Sequence, residues 1–388
     1  MFNEKKNLKI GFFPLHSFAK PGGVKEHVLA LNKEFKKRGL QTKIMVPKSR
    51  SRERYGKDIK LFGTSFLVPI GGTQVDFTVC FRPGNIAKLL KKEKFDILHF
   101  QNFGFHSWQI LRKSEAVNIL TFHSGYNFKT NKFFKELPPS FNHFLVNWLQ
   151  KTVNERIDGV IGVAPCCLDI FKDFPGPKTV IPNGIDIKEF NPQKPKIKKY
   201  CDGKINILFL GRIEEKKGLI YLLNAYKILK TKFKDLRLII VGEGPLKEDC
   251  QNFANRNNLK TVHFEGVPPR KKNPSYYATA DIFCAPAIFG ESFGIVLLEA
   301  MASGKPVVAF ANQGYRGVLE GKGKNFLANP RDWQGLAQKL EILIKSEAKR
   351  KEMADWGLKE AQKYSWEIIA DRVLDFYNEV IKHKEKKL

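Results

Sequence analysis

The 388-residue chain lacks any apolar run near the ~20 residues that a membrane-crossing helix needs. Its first apolar stretch, 10–15, lies behind Lys5 and Lys6 and stops at His16 and Ser17, too short for a secretory leader. The expectation is a protein that is soluble, or that lies on a membrane without crossing it. The six cysteines (Cys80, Cys166, Cys167, Cys201, Cys250, Cys284) have no paired metal-ligand spacing. Most sit in apolar or strand-like segments, as reduced structural thiols of a cytoplasmic protein do. No His, Asp and Glu cluster has metal-ligand spacing either, so no tightly bound metal is expected. Nucleophile-elbow and Walker-type loops are also missing, which argues against a serine hydrolase or a P-loop nucleotidase.

Acidic residues are scarce, 39 against 67 Lys and Arg, for a net charge of +28. Such an imbalance fits nucleic acid, an anionic membrane surface, or solubility alone. Nucleic acid is the weakest of these, because there is neither zinc-finger spacing nor an RNA-recognition signature of interleaved aromatics. The segment 86–95 sets Ile86, Leu89, Leu90 and Phe95 against Lys88, Lys91, Lys92 and Lys94. A basic amphipathic helix of this kind can lie among anionic headgroups, or it can face a core and leave its lysines in water.

What is present is a repeated alternation of short apolar runs with helical segments, the pattern of parallel sheets covered by helices. Strands are expected over 9–13, 42–46, 96–100, 118–123, 159–163 and 179–181, with helices over 24–38, 85–93, 140–156 and 165–171. Residues 1–184 form the first expected domain, and a Pro-, Lys- and Asn-rich stretch, 185–204, reads as a linker. The alternation restarts over 205–365. Strands are expected there over 205–210, 236–241, 262–264, 281–285 and 307–310, with helices over 218–230, 245–255, 274–280, 295–303, 333–345 and 347–363. A last helix within 366–388 is expected to return to the first domain. The fold class is therefore α/β, with two Rossmann-like doubly wound parallel-sheet domains. In such sheets ligands bind outside the carboxyl ends of the strands, which points to a cleft between the two domains.

The most informative stretch is 285–309, APAIFGESFGIVLLEAMASGKPVVA. It reads as a loop, a short helix, a glycine turn and a buried strand. Glu291 and Glu299 flank Ser292, Phe293, Gly294 and Ile295, where a first helical turn offers unpaired N–H groups and the positive end of the helix dipole. That is a seat for an anion such as a diphosphate, beside carboxylates able to accept from sugar hydroxyls. The plainer alternative has Glu291 complementing the helix end and Glu299 merely packed. Glu299 lies in an apolar run, however, and a buried carboxylate needs a partner. Arg212 and Lys217 leave one strand end five residues apart, placed to neutralise a departing diphosphate. Gly22 and Gly23 open the first long helix, where backbone can approach a phosphate closely. Gly242 lies in a strand-to-helix turn suited to lining a nucleotide. His123 ends a strand of the first domain, whereas His99, inside a strand, reads as a supporting histidine.

With these residues assembled, the chain resembles glycosyltransferase family 4, of the twin-Rossmann GT-B architecture, and within it the phosphatidylinositol mannosyltransferases. The matching text is PGGVKEHV from Pro21, FDILHF from Phe95, TFHS from Thr121, IPNGID from Ile181, FLGR from Phe209, EEKKG from Glu214, IIVGEG from Ile239, the stretch from Cys284 to Ala309, and YSW from Tyr364. The resemblance implies transfer of a sugar from a nucleotide donor with retention at the anomeric carbon, with neither metal nor cofactor. It implies that Arg212 and Lys217 hold the diphosphate, Glu291 the transferred sugar, Glu299 the ribose, Gly23 the phosphates, and His123 the sugar near the reacting centre. GDP-mannose is the leading donor, and UDP-linked hexoses stay open. The implied acceptor is a lipid or glycan at the cytoplasmic membrane face. Where the inositol-lipid enzymes carry acceptor arginines, residues 73–83 here hold only Arg82, with an acidic Asp76. A sugar-nucleotide 2-epimerase and a non-catalytic scaffold on anionic membranes are the rival readings.

Overall fold

The structure, a computed structural model, describes residues 8–19, 22–49, 54–70, 73–79, 83–123 and 138–387. Pro21, Arg50, Arg52, Cys80, Arg82, Ser124 and Gly125 lie outside the described residues. The chain divides into two compact units, residues 1–183 with 366–388, and residues 184–365.

In the first unit the strands are β1 (Lys9–Pro14), β2 (Gln41–Pro47), β3 (Ile59–Phe62), β4 (Thr64–Ile70), β5 (Thr73–Val79), β6 (Ile97–Gln101), β7 (Val117–Phe122), β8 (Gly159–Gly162) and β9 (Lys178–Val180). Seven of them form a parallel sheet in the order β3-β2-β1-β6-β7-β8-β9. Burial on both faces explains why β6, for example, reads as a nearly unbroken apolar run. The helix Gly23–Lys37 buries Val28, Leu31 and Phe35 against this sheet, a spacing that keeps one helical stripe inward. The final helix, Trp366–Glu385, buries Ile369, Val373, Tyr377 and Val380 in the same core. Ion pairs from Arg38 to Asp371 (2.8 Å) and from Lys384 to Asp158 (2.9 Å) tie it down.

The second unit carries β10 (Ile205–Leu210), β11 (Leu236–Val241), β12 (Val262–Phe264), β13 (Ile282–Ala285), β14 (Val307–Phe310) and β15 (Leu327–Ala328), all parallel, in the order β12-β11-β10-β13-β14-β15. Ile185, Phe190 and Tyr200, from the Pro- and Lys-rich stretch, are buried in its core. The fold is thus α/β with two doubly wound parallel sheets.

Several local expectations change. Residues 165–171 form two 3-10 turns, Pro165–Cys167 and Asp169–Phe171, rather than an α-helix. The bonds that close them run three residues back, from Leu168 N to Pro165 O and from Phe171 N to Leu168 O. The segment 59–79, for which no strands are expected, supplies β3 and the antiparallel pair β4–β5. Short helices Phe105–Leu111 and Gln313–Val318 are additions as well. On the helix Pro83–Glu93, Ile86, Leu89 and Leu90 pack into the unit's own core, with Phe95 just beyond. Lys88, Lys91, Lys92 and Lys94 are left exposed, as on a core-facing helix. Four of the five described cysteines are buried, and all five are free thiols. Among the described residues no helix is long and apolar enough to cross a membrane.

Candidate functional site

The order of the second sheet reverses between β10 and β13, and the loops leaving those two strands meet at their carboxyl ends. The loop after β10 runs through Gly211 and Arg212 into a 3-10 turn, Glu215–Lys217, and then the helix Leu219–Lys232. Ile288 N, on the loop after β13, donates to Lys216 O at 2.8 Å. Gly218 makes the approach possible. Its φ is +68°, and a Cβ there would stand 2.0 Å from Pro286 O, so no other residue fits without moving one loop.

Across this junction Lys217 Nζ donates to Glu291 Oε1 at 2.6 Å, with both side chains mostly buried. Arg212 shares the strand end but extends into solvent, 73% exposed, its guanidinium 3.6 Å from Glu214. The structure therefore joins Lys217 to Glu291 and leaves Arg212 exposed beside Glu214.

Behind Glu291 the chain turns through Ser292 and buried Phe293 to Gly294, which precedes the helix Ile295–Ala302. Gly294 sits at φ +97°, and a Cβ would strike the Tyr315 ring at 2.5 Å. Asn312 caps the next helix, accepting from Tyr315 N at 3.0 Å, and its amide donates to Ala287 O at 2.8 Å, pinning the loop. Burial, followed by the charge of Glu291, pushes the Tyr315 hydroxyl well above its ordinary range, so this ring stays neutral beside the carboxylate. Glu299 is buried and accepts from the Tyr277 hydroxyl at 2.7 Å, the partner that a carboxylate in an apolar run requires. Gly242, after β11, donates from its N–H to Gly266 O at 2.7 Å, behind the β10 loop.

In the first unit the order reverses between β1 and β6. Gly22 and Gly23 follow β1 at an exposed helix N-terminus that has no side-chain cap, and a Cβ on either would meet nothing within 4 Å. Packing among the described residues thus gives no reason for glycine there. His123, after β7, is half-buried; its N–H donates to Asn102 Oδ1 at 2.8 Å and its Nε2 lies 2.7 Å from Gln101 Oε1. The Gln101 amide nitrogen is 3.1 Å from His99 Nε2, and His99 Nδ1 is 2.6 Å from the Tyr377 hydroxyl. His27 stands edge to face with His123, ring centres 4.8 Å apart, and donates from Nδ1 to Asn183 Oδ1 at 2.9 Å. Burial holds His27 at about 4 against its hydrogen bond to Asn183. Burial, then the facing imidazoles, holds His99 and His123 well below the ordinary histidine range.

His27, Gln101, Tyr277 and Tyr377 are polar groups of these sites that sequence reasoning passed over. Two had a visible signal: His27 interrupts the buried stripe of its helix, and Gln101 ends an otherwise apolar strand.

Comparison with known proteins agrees with this geometry. Residues 21–189 match Glycosyltransferase Family 4, and residues 190–360 match Glycosyl transferases group 1. The phosphatidyl-myo-inositol mannosyltransferase of Mycobacterium leprae is 30% identical over 382 residues, covering 96% of this chain and 97% of that protein. The alpha-monoglucosyldiacylglycerol synthase of Streptococcus pneumoniae is 27% identical, covering 81% of this chain and 74% of its own. Among solved structures, sucrose-phosphate synthase from Thermosynechococcus elongatus superposes with a TM-score of 0.76 at 19% identity, over 97% of this chain and all of that one, which speaks for the fold. The reversal points of two parallel sheets, the joined Lys217 and Glu291, and near-full-length kinship put this chain in glycosyltransferase family 4.

Proposed function

We propose that this glycosyltransferase moves a hexose, mannose from GDP-mannose as the leading case, to a lipid-linked or glycan acceptor with retention at the anomeric carbon. The observation that carries the reading is the Lys217–Glu291 pair at the sheet's reversal point, beside the N-terminus of the helix Ile295–Ala302. Lys217 and Arg212 would hold the donor diphosphate, with backbone amides of 292–295 completing the anion seat. Glu291 would accept from hydroxyls of the transferred sugar, and Glu299, steadied by Tyr277, from the ribose. The bond that breaks joins the anomeric carbon to the diphosphate oxygen, and charge develops on that oxygen. Lys217, already in place, would stabilise it without reorganising, and Arg212 would turn in from solvent to join it. The leaving phosphate would assist attack by the acceptor hydroxyl from the same face and take its proton. This route needs neither a metal nor a cofactor. The parts that the resemblance gives to Gly22, Gly23 and His123 are separate proposals for the first unit, each read by substitution.

Two observations support an acceptor with a lipid part. The M. leprae relative is named for a phosphatidyl-inositol acceptor. The first unit also holds a cavity of about 480 Å³, largely apolar, with Phe13, Phe62, Ile86, Leu89 and Ile110 among its walls. A second reading, transfer of glucose from a UDP donor to a glycolipid, is favoured by the pneumococcal relative's name. Work at the inner membrane surface is proposed with either.

Thermal melts with GDP-mannose, UDP-glucose and UDP-N-acetylglucosamine test the donor. The right one at a hundredfold its Kd stabilises the fold by ~2.7 kcal/mol. A melt unmoved by every nucleotide sugar, but shifted by anionic vesicles, favours a scaffold and removes the proposal. Labelled donor supplied to a lipid extract then identifies the product.

A further inference from the structure

His123 sits at the end of a hydrogen-bond chain that starts in the final helix. Gln101 Oε1 can only accept, so at 2.7 Å it takes the proton of His123 Nε2 and leaves Nδ1 as the ring's lone pair. Gln101 Nε2 can only donate, and 3.1 Å away it meets His99 Nε2. The Thr121 hydroxyl lies 2.6 Å from the same nitrogen. With the Gln101 amide in this orientation, His99 Nε2 is the acceptor, its proton lies on Nδ1, and Tyr377 receives it at 2.6 Å. Every bond points the same way, from His123 towards the final helix.

We propose that Tyr377, acting through His99 and Gln101, is a positioning residue that fixes His123 as the Nε2–H tautomer, so that its Nδ1 lone pair is presented to a substrate hydroxyl. The chain has the features such a role needs. His99 is fully buried, so neither of its nitrogens can turn to water for a different partner. His27 packs its ring edge to face against His123, which resists rotation of the imidazole. Burial keeps all three imidazoles neutral, so a single proton position defines each ring. The use made of the lone pair rests on the glycosyl-transfer reading; the tautomer itself does not.

Long-range proton–nitrogen NMR on the full chain tests this, since it reads which imidazole nitrogen carries the proton and needs no substrate. Wild type should show His123 protonated at Nε2. Tyr377→Phe removes the acceptor of His99 Nδ1–H, so that proton moves to Nε2, facing Thr121 Oγ1. Gln101 must then turn its carbonyl to His99 and its NH2 to His123, which shifts the His123 proton to Nδ1. The expected result is an inverted His123 tautomer, with kcat down about 10-fold or more and the donor KM within about twofold. Gln101→Leu breaks the chain without touching the final helix, and serves if Tyr377→Phe fails to fold. It should destroy the single tautomer and lower kcat alike. A wild-type His123 protonated at Nδ1, a tautomer indifferent to these variants, or an inverted tautomer with full kcat each overturns the proposal. If no nucleotide sugar binds, the donor reading falls, yet the tautomer measurement on the free protein still stands.

Discussion

The two units solve the same problem with different chemistry. Each places polar side chains at the carboxyl ends of a parallel sheet, where the strand order reverses. The first unit uses neutral rings and amides: His27, His99, Gln101 and His123 linked at hydrogen-bond distance or by ring contact, with no charged member. The second uses ions on loops, Lys217 against Glu291 with Arg212 extended nearby. A chain of neutral groups tolerates deep burial better than ions do, even with His27 Nε2 left without a partner. An ion pair loses much more on desolvation, which is why Lys217 and Glu291 keep part of their surface. That difference is what the proposed roles require, with a charged diphosphate at the second unit and a neutral hydroxyl at His123 of the first.

The sharpest break of this comparison is to remove charge from the second unit. Lys217→Ala and Glu291→Ala should each cost about 10²- to 10³-fold in kcat, the range seen when one preorganised group facing developing charge is lost. Both side chains stand on surface loops, so far-UV circular dichroism and melting should keep a folded protein. Near-wild-type turnover in both variants would return the pair to a loop-fastening role. Steady-state kinetics with the donor identified by thermal shift gives the answer.

That Lys217 and Glu291 touch is not legible in the order of the amino acids, but each residue is, as a charge at a strand end or beside a helix start. So are the long parallel strands, because burial on both faces writes them as apolar runs such as 236–241. What stays hidden is pairwise. Tyr277 lies 22 residues from Glu299, and Tyr377 lies 278 residues from His99, so only the folded chain shows that they touch. The hairpin β4–β5 does leave a trace, Gly71 and Gly72 between two β-branched and aromatic runs, where residues 70 and 73 pair. The 3-10 turns at 165–171 leave none, because their apolar spacing is equally that of a short helix.

Acid should separate the units next. His27 is held at about 4, below the ordinary 6.5, by burial. The folded state therefore refuses a proton that the unfolded state accepts. Stability from this group is complete above pH 6.5 and is lost as pH falls towards 4, by roughly 3 kcal/mol in all. His99 and His123 act with the same sign, as does His106, held at about 3 by burial and then by His16. Glu93 adds to it lower down: its hydrogen bonds to Lys43, Lys60 and Lys9 outweigh burial and bring it to about 2. The second unit has a single histidine, half-buried His263. Hydrogen exchange at pH 5 should thus show the first unit opening ahead of the second. Equal protection in both would mean that the buried imidazoles are not the weak point.

The smallest effect concerns the lysines of the helix Pro83–Glu93. Its apolar side chains are already spent on the first unit's core, so only charge remains to meet a membrane. Exchanging Lys88, Lys91 and Lys92 for Gln should leave the melt within ~0.5 kcal/mol, as exposed positions do. Binding to phosphatidylserine vesicles should weaken by about 1 kcal/mol per lysine, and vanish for wild type in high salt. Binding that persists in high salt would require apolar insertion. The helix cannot supply that without leaving its core, so the comparison of a neutral site in the first unit with a charged one in the second would have to include a first unit that opens at the membrane.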